Sequence, residues 1–363
     1  MAISRGSKVF LVVIAIAVGV VFGALSWVNW LLGGDPGPGD PVVVEVTAGA
    51  TAGSIGELLA DEGVVRSALA FRLVARSRGL DANLQAGDFE LETGMSVDEV
   101  IDALLDGPPQ RPTYRFTVEE GLTVAQTLDR LAAQTPHTVA DYQGLLDARL
   151  AADADGPGLL DLPDWVPALS SFGPEVRQPF EGMFFPETYE MFADASALAV
   201  LQRMLDQLTV VTDGLPPDAD ATFADRGLTR YQAFVIASLI ERETRVEAER
   251  VVVSGVIANR LGRGMLLQLD ATCLYAIGGH KERVLQEDCE VDSPYNTYVT
   301  AGLPPTPISG VGKASILAAL EPADVTFLYY VVAPECDGTH RFAASLDEHN
   351  RNVAALREAG GCR

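Results

Sequence analysis

Residues 9–32 form an almost unbroken apolar run without a charge, with Arg5 and Lys8 before it and Asp35 and Asp40 after it. An apolar helix of about 20 residues crosses the hydrocarbon of a bilayer. The positive-inside rule then puts residues 1–8 in the cytoplasm as a short tail and everything beyond residue 33 outside. Trp27 and Trp30 stand where an interfacial aromatic belt falls. A cleaved signal peptide has an apolar core of about 7–15 residues and an A-x-A-like exit. This run is longer and shows no clear exit, so the expectation is a retained single-pass anchor in the inner (plasma) membrane over residues 9–32.

Beyond it, residues 33–41 are rich in Gly, Pro and Asp and read as a hydrophilic linker. VVVEV from Val42 has a strand pattern. Ile55, Leu58 and Leu59 recur at helical spacing until Gly63 stops the helix. A second helix carries Phe71, Leu73 and Val74, GDFEL follows as a strand, and Ser96 with Glu99 forms a capping box for a further helix. Residues 42–108 are therefore expected to form a small β-α-α-β module. In 109–180, a connecting region, a strand at 114–118 feeds a helix through Glu120-Gly121-Leu122-Thr123, and short helices and loops follow. Residues 181–363 hold the densest strand and helix signals and nearly every candidate site. The fold class expected outside the membrane is α+β.

Composition narrows the function. The chain has 26 basic against 50 acidic side chains, a net charge of -24, which argues against nucleic acid and against an electrostatic grip on anionic lipid. Cys273, Cys289, Cys336 and Cys362 all lie in the last third. Outside the cytoplasm an even count suggests two disulfides, and proximity favours Cys273–Cys289 and Cys336–Cys362 over the other pairings or four free thiols. No C-x-x-C occurs, and His137, His280, His340 and His349 lack ligand spacing, so no metal is expected.

The stretch 229–265 carries the sharpest chemical signal. Thr229 with Gln232 is a capping box, and Ile236, Leu239 and Ile240 form an apolar stripe whose next positions are Glu243 and Glu247. Glu241 has Arg245 four residues on and can pair. Glu243 instead has Leu239 behind it and Glu247 ahead. Desolvation and a like charge both raise a carboxyl pKa, as a general acid for glycoside cleavage requires. The same charges also suit a solvated helix end, and spacing alone does not separate the two. SPYNTY (293–298), GLPPTPIS (302–309) and EGMFFPETYE (181–190) set aromatic rings beside polar groups, a combination suited to carbohydrate and equally to structural turns.

EGMFFPETY, ASLIERET, NRLGRGMLLQLDAT, SPYNTY, GLPP with PIS, and HRF followed by EHN occur in that order across 181–350. Together they resemble the YceG-like family of endolytic murein transglycosylases, and VEEGLT and GDFEL look similar as well. The resemblance implies that residues 181–363 form a catalytic domain. It implies that 42–108 is a LysM-like, glycan-binding module, and that peptidoglycan glycan strands are the substrate. The second acid of E-x-E-T is Glu243, the implied catalytic residue. Gln268, Asp270, Tyr295 and Asn296 match family positions and are expected to line the cleft; Glu181 is a further substrate-binding candidate. The implied reaction breaks a MurNAc–GlcNAc bond, leaves a 1,6-anhydro-MurNAc end, and needs neither metal nor cofactor. Partners in the cell-wall synthesis machinery follow by analogy. The family's D-P-T reads Asp270-Ala271-Thr272 here, its N-P-G reads Gly310-Val311-Gly312, and residues 279–292 read as a variable loop. A hydrolytic muramidase using the same acid and a non-catalytic wall-binding scaffold are the alternatives.

Overall fold

The structure is a computed structural model that describes residues 5–33, 39–47, 49–80, 84–108, 112–152, 159–278 and 285–362. The start of the expected tail, most of the linker, and Lys281 and Arg283 of the variable loop lie outside the described residues. The chain divides into two compact units, 1–111 and 112–363.

The first unit opens with helix α1 (Arg5–Leu32), 28 residues in length and so about 42 Å long at 1.5 Å per residue. Its side chains are described at Ile16 and from Val18 onward. Among the described residues no helix is long and apolar enough to cross a membrane. Ile16, Val18, Val20, Phe22, Leu25 and Trp27 are each more than half exposed. At its end Leu31 and Leu32 pack against the small core that follows, and Arg66 donates to the carbonyls of Trp30 (2.6 Å) and Gly33 (2.9 Å). That core lies between the antiparallel pair β1 (Pro41–Val46) and β2 (Gly87–Glu92) and helices α2 (Ala52–Asp61), α3 (Ala68–Ser77) and α4 (Val97–Asp106). Val44, Val46, Phe89 and Leu91 alternate inward, as the strand period demands. The Ser96–Glu99 capping box forms as expected.

In the second unit, β3 (Thr113–Thr117) pairs antiparallel with β4 (Thr188–Phe192). Helices α5 (Val124–Gln134), α6 (Val139–Ala151), α7 (Ala197–Asp213), α8 (Ala219–Asp225), α9 (Arg230–Glu243), α10 (Arg250–Gly262), α11 (Asp270–Ile277) and α12 (Lys313–Leu320) follow in the order of the chain. The antiparallel pair β5 (Tyr329–Val332) and β6 (His340–Ala343) and helix α13 (Leu346–Glu358) close it. Residues 112–180, expected as a connecting region, do more than connect. Phe116, Leu128, Tyr142 and Leu160 share one core with Phe180, Leu205 and Phe234. Helix α9 runs through that core: Tyr231 and every residue from Ala233 to Ile240 are buried. A helix apolar on all sides must be enclosed, so the single stripe read from the sequence understates how far α9 is surrounded. Both proximity-based disulfides are present, Cys273–Cys289 and Cys336–Cys362, with Cα separations of 5.0 and 5.4 Å.

Candidate active site

The N-terminus of α9 is fixed by the predicted capping box: Gln232 N–H donates to Thr229 Oγ1 and Thr229 N–H to Gln232 Oε1. Its C-terminus comes immediately after Glu243. Thr244 turns extended, and its hydroxyl donates back to the Ile240 carbonyl at 2.7 Å. This early stop corrects one expectation. Glu247 does not continue the face of Glu243; it lies exposed in a single 3-10 turn, Glu247–Glu249. Glu241 also finds a different partner from Arg245: Arg250 Nη2 donates to it at 3.2 Å and Gly312 N–H at 3.0 Å.

Glu243 lines a cavity of about 220 Å³ together with Arg260, Gln268, Asp270, Tyr298 and Tyr330. Tyr330 Oη donates to Glu243 Oε2 at 2.9 Å, and the Ala271 backbone N–H, in the first turn of α11, also reaches this carboxyl. Burial raises the Glu243 pKa most. The Tyr330 hydroxyl, the Ala271 N–H and His340 pull it down, and the nearby Asp270 pushes it up. The like charge expected from Glu247 is thus supplied by Asp270. Tyr298 Oη donates to Asp270 Oδ1 at 2.6 Å. Arg260 is spent on the framework, donating to the carbonyls of Leu328 (2.5 Å) and Leu267 (2.7 Å). His340 is held by Glu249, whose oxygens take its Nδ1 (2.7 Å) and its backbone N–H (2.9 Å). Tyr330 and His340 share one face of the β5–β6 ribbon, their rings edge to face at 5.3 Å.

The other sequence-selected residues separate into two groups. Gln268 and Asp270 line the cavity with Glu243. Gln268 sits at φ 50°, a left-handed conformation uncommon outside glycine, and its N–H donates to the Thr297 carbonyl at 3.0 Å. Tyr295 and Asn296 are fully buried behind the wall. The Tyr295 hydroxyl bonds Thr306 at 2.8 Å, and the Asn296 amide donates to the carbonyls of Cys289 and Val291. They hold the 293–298 loop, which in turn holds the cavity's edge: Leu269 N–H donates to Thr297 Oγ1 at 3.0 Å, and the Thr272 and Thr297 hydroxyls meet at 2.8 Å.

Glu181 is placed apart from these, on a second cavity of about 350 Å³. It is 2% exposed; Val124 N–H donates to Oε1 at 2.8 Å and Tyr275 Oη to Oε2 at 2.9 Å. Burial dominates and pushes its pKa up to about 7. Four polar residues that line the first cavity were not singled out as site residues from the sequence: Arg260, Tyr298, Tyr330 and His340. Tyr298 and His340 lie in motifs already noted, SPYNTY and HRF. Arg260 lies in NRLGRGM, whereas Tyr330 is one aromatic among several in a strand and carries no signal of its own.

Comparison with known proteins adds lineage to this geometry. The sequence profile of the YceG-like family matches residues 44–355. An endolytic murein transglycosylase of Bacillus subtilis (strain 168) is 32% identical over 311 residues, covering 85% of this chain and 83% of that protein. One from Streptococcus pneumoniae serotype 2 (strain D39) is 29% identical over 365 positions, covering 95% of this chain; the chain spans 64% of that relative's length. The crystal structure of a YceG-like protein from Listeria monocytogenes is similar with a TM-score of 0.54 at 30% identity, covering 86% of this chain and 99% of that one.

Proposed function

The chain belongs to the YceG-like family, and on that premise we propose that it is a lytic transglycosylase cutting peptidoglycan glycan strands endolytically, with Glu243 as acid and then base. The observation that carries this reading is the setting of the Glu243 carboxyl, half-buried on a cavity with Tyr330 donating at 2.9 Å and Asp270 alongside. Burial and Asp270 favour the protonated form, which a proton donor to the glycosidic oxygen must be in. Tyr330 and the Ala271 N–H favour the carboxylate, which the donor becomes as C1 of MurNAc takes on oxocarbenium character. That carboxylate then accepts the proton of the C6 hydroxyl as its oxygen attacks C1 of the same sugar. The leaving chain keeps the first proton, and the product is a 1,6-anhydro end. Because the nucleophile is already part of the substrate, proximity replaces a water-positioning carboxylate.

One observation favours a second reading. Asp270 faces the same cavity as Glu243, and a second carboxylate there suits activation of water, giving a hydrolytic muramidase. Mass spectrometry of digested glycan strands separates the two, since anhydro ends are one water lighter than reducing ends. The expected result is anhydro ends from the wild type and their loss in Glu243→Gln, by about 10²–10⁴ in rate. Cleavage that survives Glu243→Gln refutes the assignment. A wild type that binds glycan without cutting it establishes a scaffold.

The charge-free apolar run of 9–32 in the sequence supports a single-pass anchor, with residues beyond it outside the cytoplasm. Two disulfides suit that compartment. The β1–α2–α3–β2 order of the first unit supports a LysM-like, glycan-binding role. An enzyme anchored in this way meets newly made strands close to their synthases, which are its expected partners.

A further inference from the structure

The second cavity, beside Glu181, is built for a ligand unlike a neutral sugar. In a chain with 50 acidic against 26 basic side chains, two arginines line it, Arg177 and Arg242. Each is fixed by one backbone carbonyl. Arg177 Nη1 donates to Ala276 O at 2.9 Å, with its guanidinium 5.7 Å from the centre of the Tyr275 ring. Arg242 Nη1 donates to Gly121 O at 2.9 Å. A guanidinium has five N–H donors in a fixed fork, so both keep donors free for an acceptor. Among the described residues neither forms a salt bridge. Among the described residues the one carboxylate that lines the cavity, Glu181, already has both oxygens occupied, by Val124 N–H and Tyr275 Oη. Burial also biases it towards its neutral form, which weakens its claim on Arg177.

The cavity adjoins the candidate active site through two pairs of consecutive residues. Arg242 and Glu243 end α9, and Asp270 and Ala271 begin α11; the first cavity takes Glu243 and Asp270, the second Arg242 and Ala271. A branched polymer lying over Glu243 therefore has a cationic recess next to the bond being cut. We propose that this recess binds the carboxylates of the peptide stem carried by the glycan strand, through Arg177 and Arg242. The substrate in this statement rests on the glycan-cleavage reading above; the anion preference does not.

The test is a binding cycle on the full chain in detergent, by calorimetry, with a soluble disaccharide–tetrapeptide and its counterpart whose carboxylates are capped as amides. The wild type is expected to prefer the free acid by about 10-fold or more, as charge-assisted forks are the stronger hydrogen bonds. Arg177→Gln and Arg242→Gln should each bring that ratio towards one, and Arg177→Lys should restore part of it. Equal affinity of the wild type for the two ligands, no binding of either, or a ratio unmoved by both substitutions overturns the proposal. The readout is binding alone, so it stands or falls separately from cleavage. Arg177 is exposed, and an unchanged melting temperature of Arg177→Gln shows that the fold is intact.

Discussion

Replacing Tyr330 by phenylalanine removes one hydroxyl and keeps the ring that packs against His340. The hydroxyl donates to Glu243 Oε2 at 2.9 Å. A hydrogen bond to a charged group is worth about 1.5–3 kcal/mol net. This one favours the carboxylate, and in the proposed mechanism Glu243 becomes a carboxylate only as its proton leaves for the substrate. Its loss is therefore felt on the way to the transition state, and at 1.36 kcal/mol per decade the plateau rate should fall about 10- to 100-fold. The pH profile should move in the opposite sense. In the proposed mechanism activity requires protonated Glu243, so the alkaline limb follows its pKa; Tyr330 holds that pKa down, and removing it moves the limb to higher pH. The assay is the initial rate of release of anhydro-ended fragments from purified glycan strands as a function of pH. A thermal melt controls for folding. A slower enzyme that works at higher pH is a combination that general damage to the site does not produce. An alkaline limb that stays in place, or shifts downward, refutes the claim that Tyr330 stabilises the ionised acid.

Asp270→Asn should do the reverse to that limb. The Asp270 charge raises the Glu243 pKa, so neutralising it moves the limb to lower pH, and the same titration reads it. Glu181→Gln tests the second buried carboxyl. Its folded pKa, about 7, lies above the ordinary 4.5, so the group favours folding below pH 4.5 and that contribution is lost as pH rises through 7. The difference corresponds to about 3 kcal/mol at most, and denaturant melts of Glu181→Gln should show a correspondingly smaller loss of stability over that interval. Removing the Cys273–Cys289 bridge by double substitution to alanine opens a link of sequence separation 16, worth about 3 kcal/mol by chain entropy. The bridge pins α11, whose first turn meets Glu243, so activity should fall along with the melting temperature; a variant as active as the wild type would disprove the coupling.

Much of the local structure was legible because its causes are local. Thr229 with Gln232 and Ser96 with Glu99 are capping pairs three residues apart, and both form. The β1–α2–α3–β2 order was readable from the change between periods of 2 and 3.6. Glu243 was also legible, first as a carboxyl placed behind an apolar stripe and then through E-x-E-T. Its pKa is raised, as the sequence predicts, but the like charge that raises it belongs to Asp270 and not to Glu247. Thr244 stops the helix, which leaves Glu247 out in solvent, and the start of α11 brings Asp270 in. Tyr295 and Asn296 match family positions in SPYNTY, a motif that sets polar groups beside aromatic rings. Sequence does not say which side of a loop faces a cavity, and both turn inward to hold the 293–298 segment.

What the sequence determined by itself is therefore the capping boxes, the strand alternation and the placing of Glu243 behind an apolar stripe, because each depends on residues within one or two turns of one another. Tertiary structure alone decided which groups surround that acid. Tyr330 lies 87 residues from Glu243 and reaches it only because β5 and β6 pair in a register that turns Tyr330 and His340 to the same face. Arg177 and Arg242 come to line one cavity only when α9 packs into the core with α11 beside it. The protonation of a buried carboxyl depends on every dipole and charge within a few ångströms, and those neighbours are assembled by packing, not by adjacency along the chain.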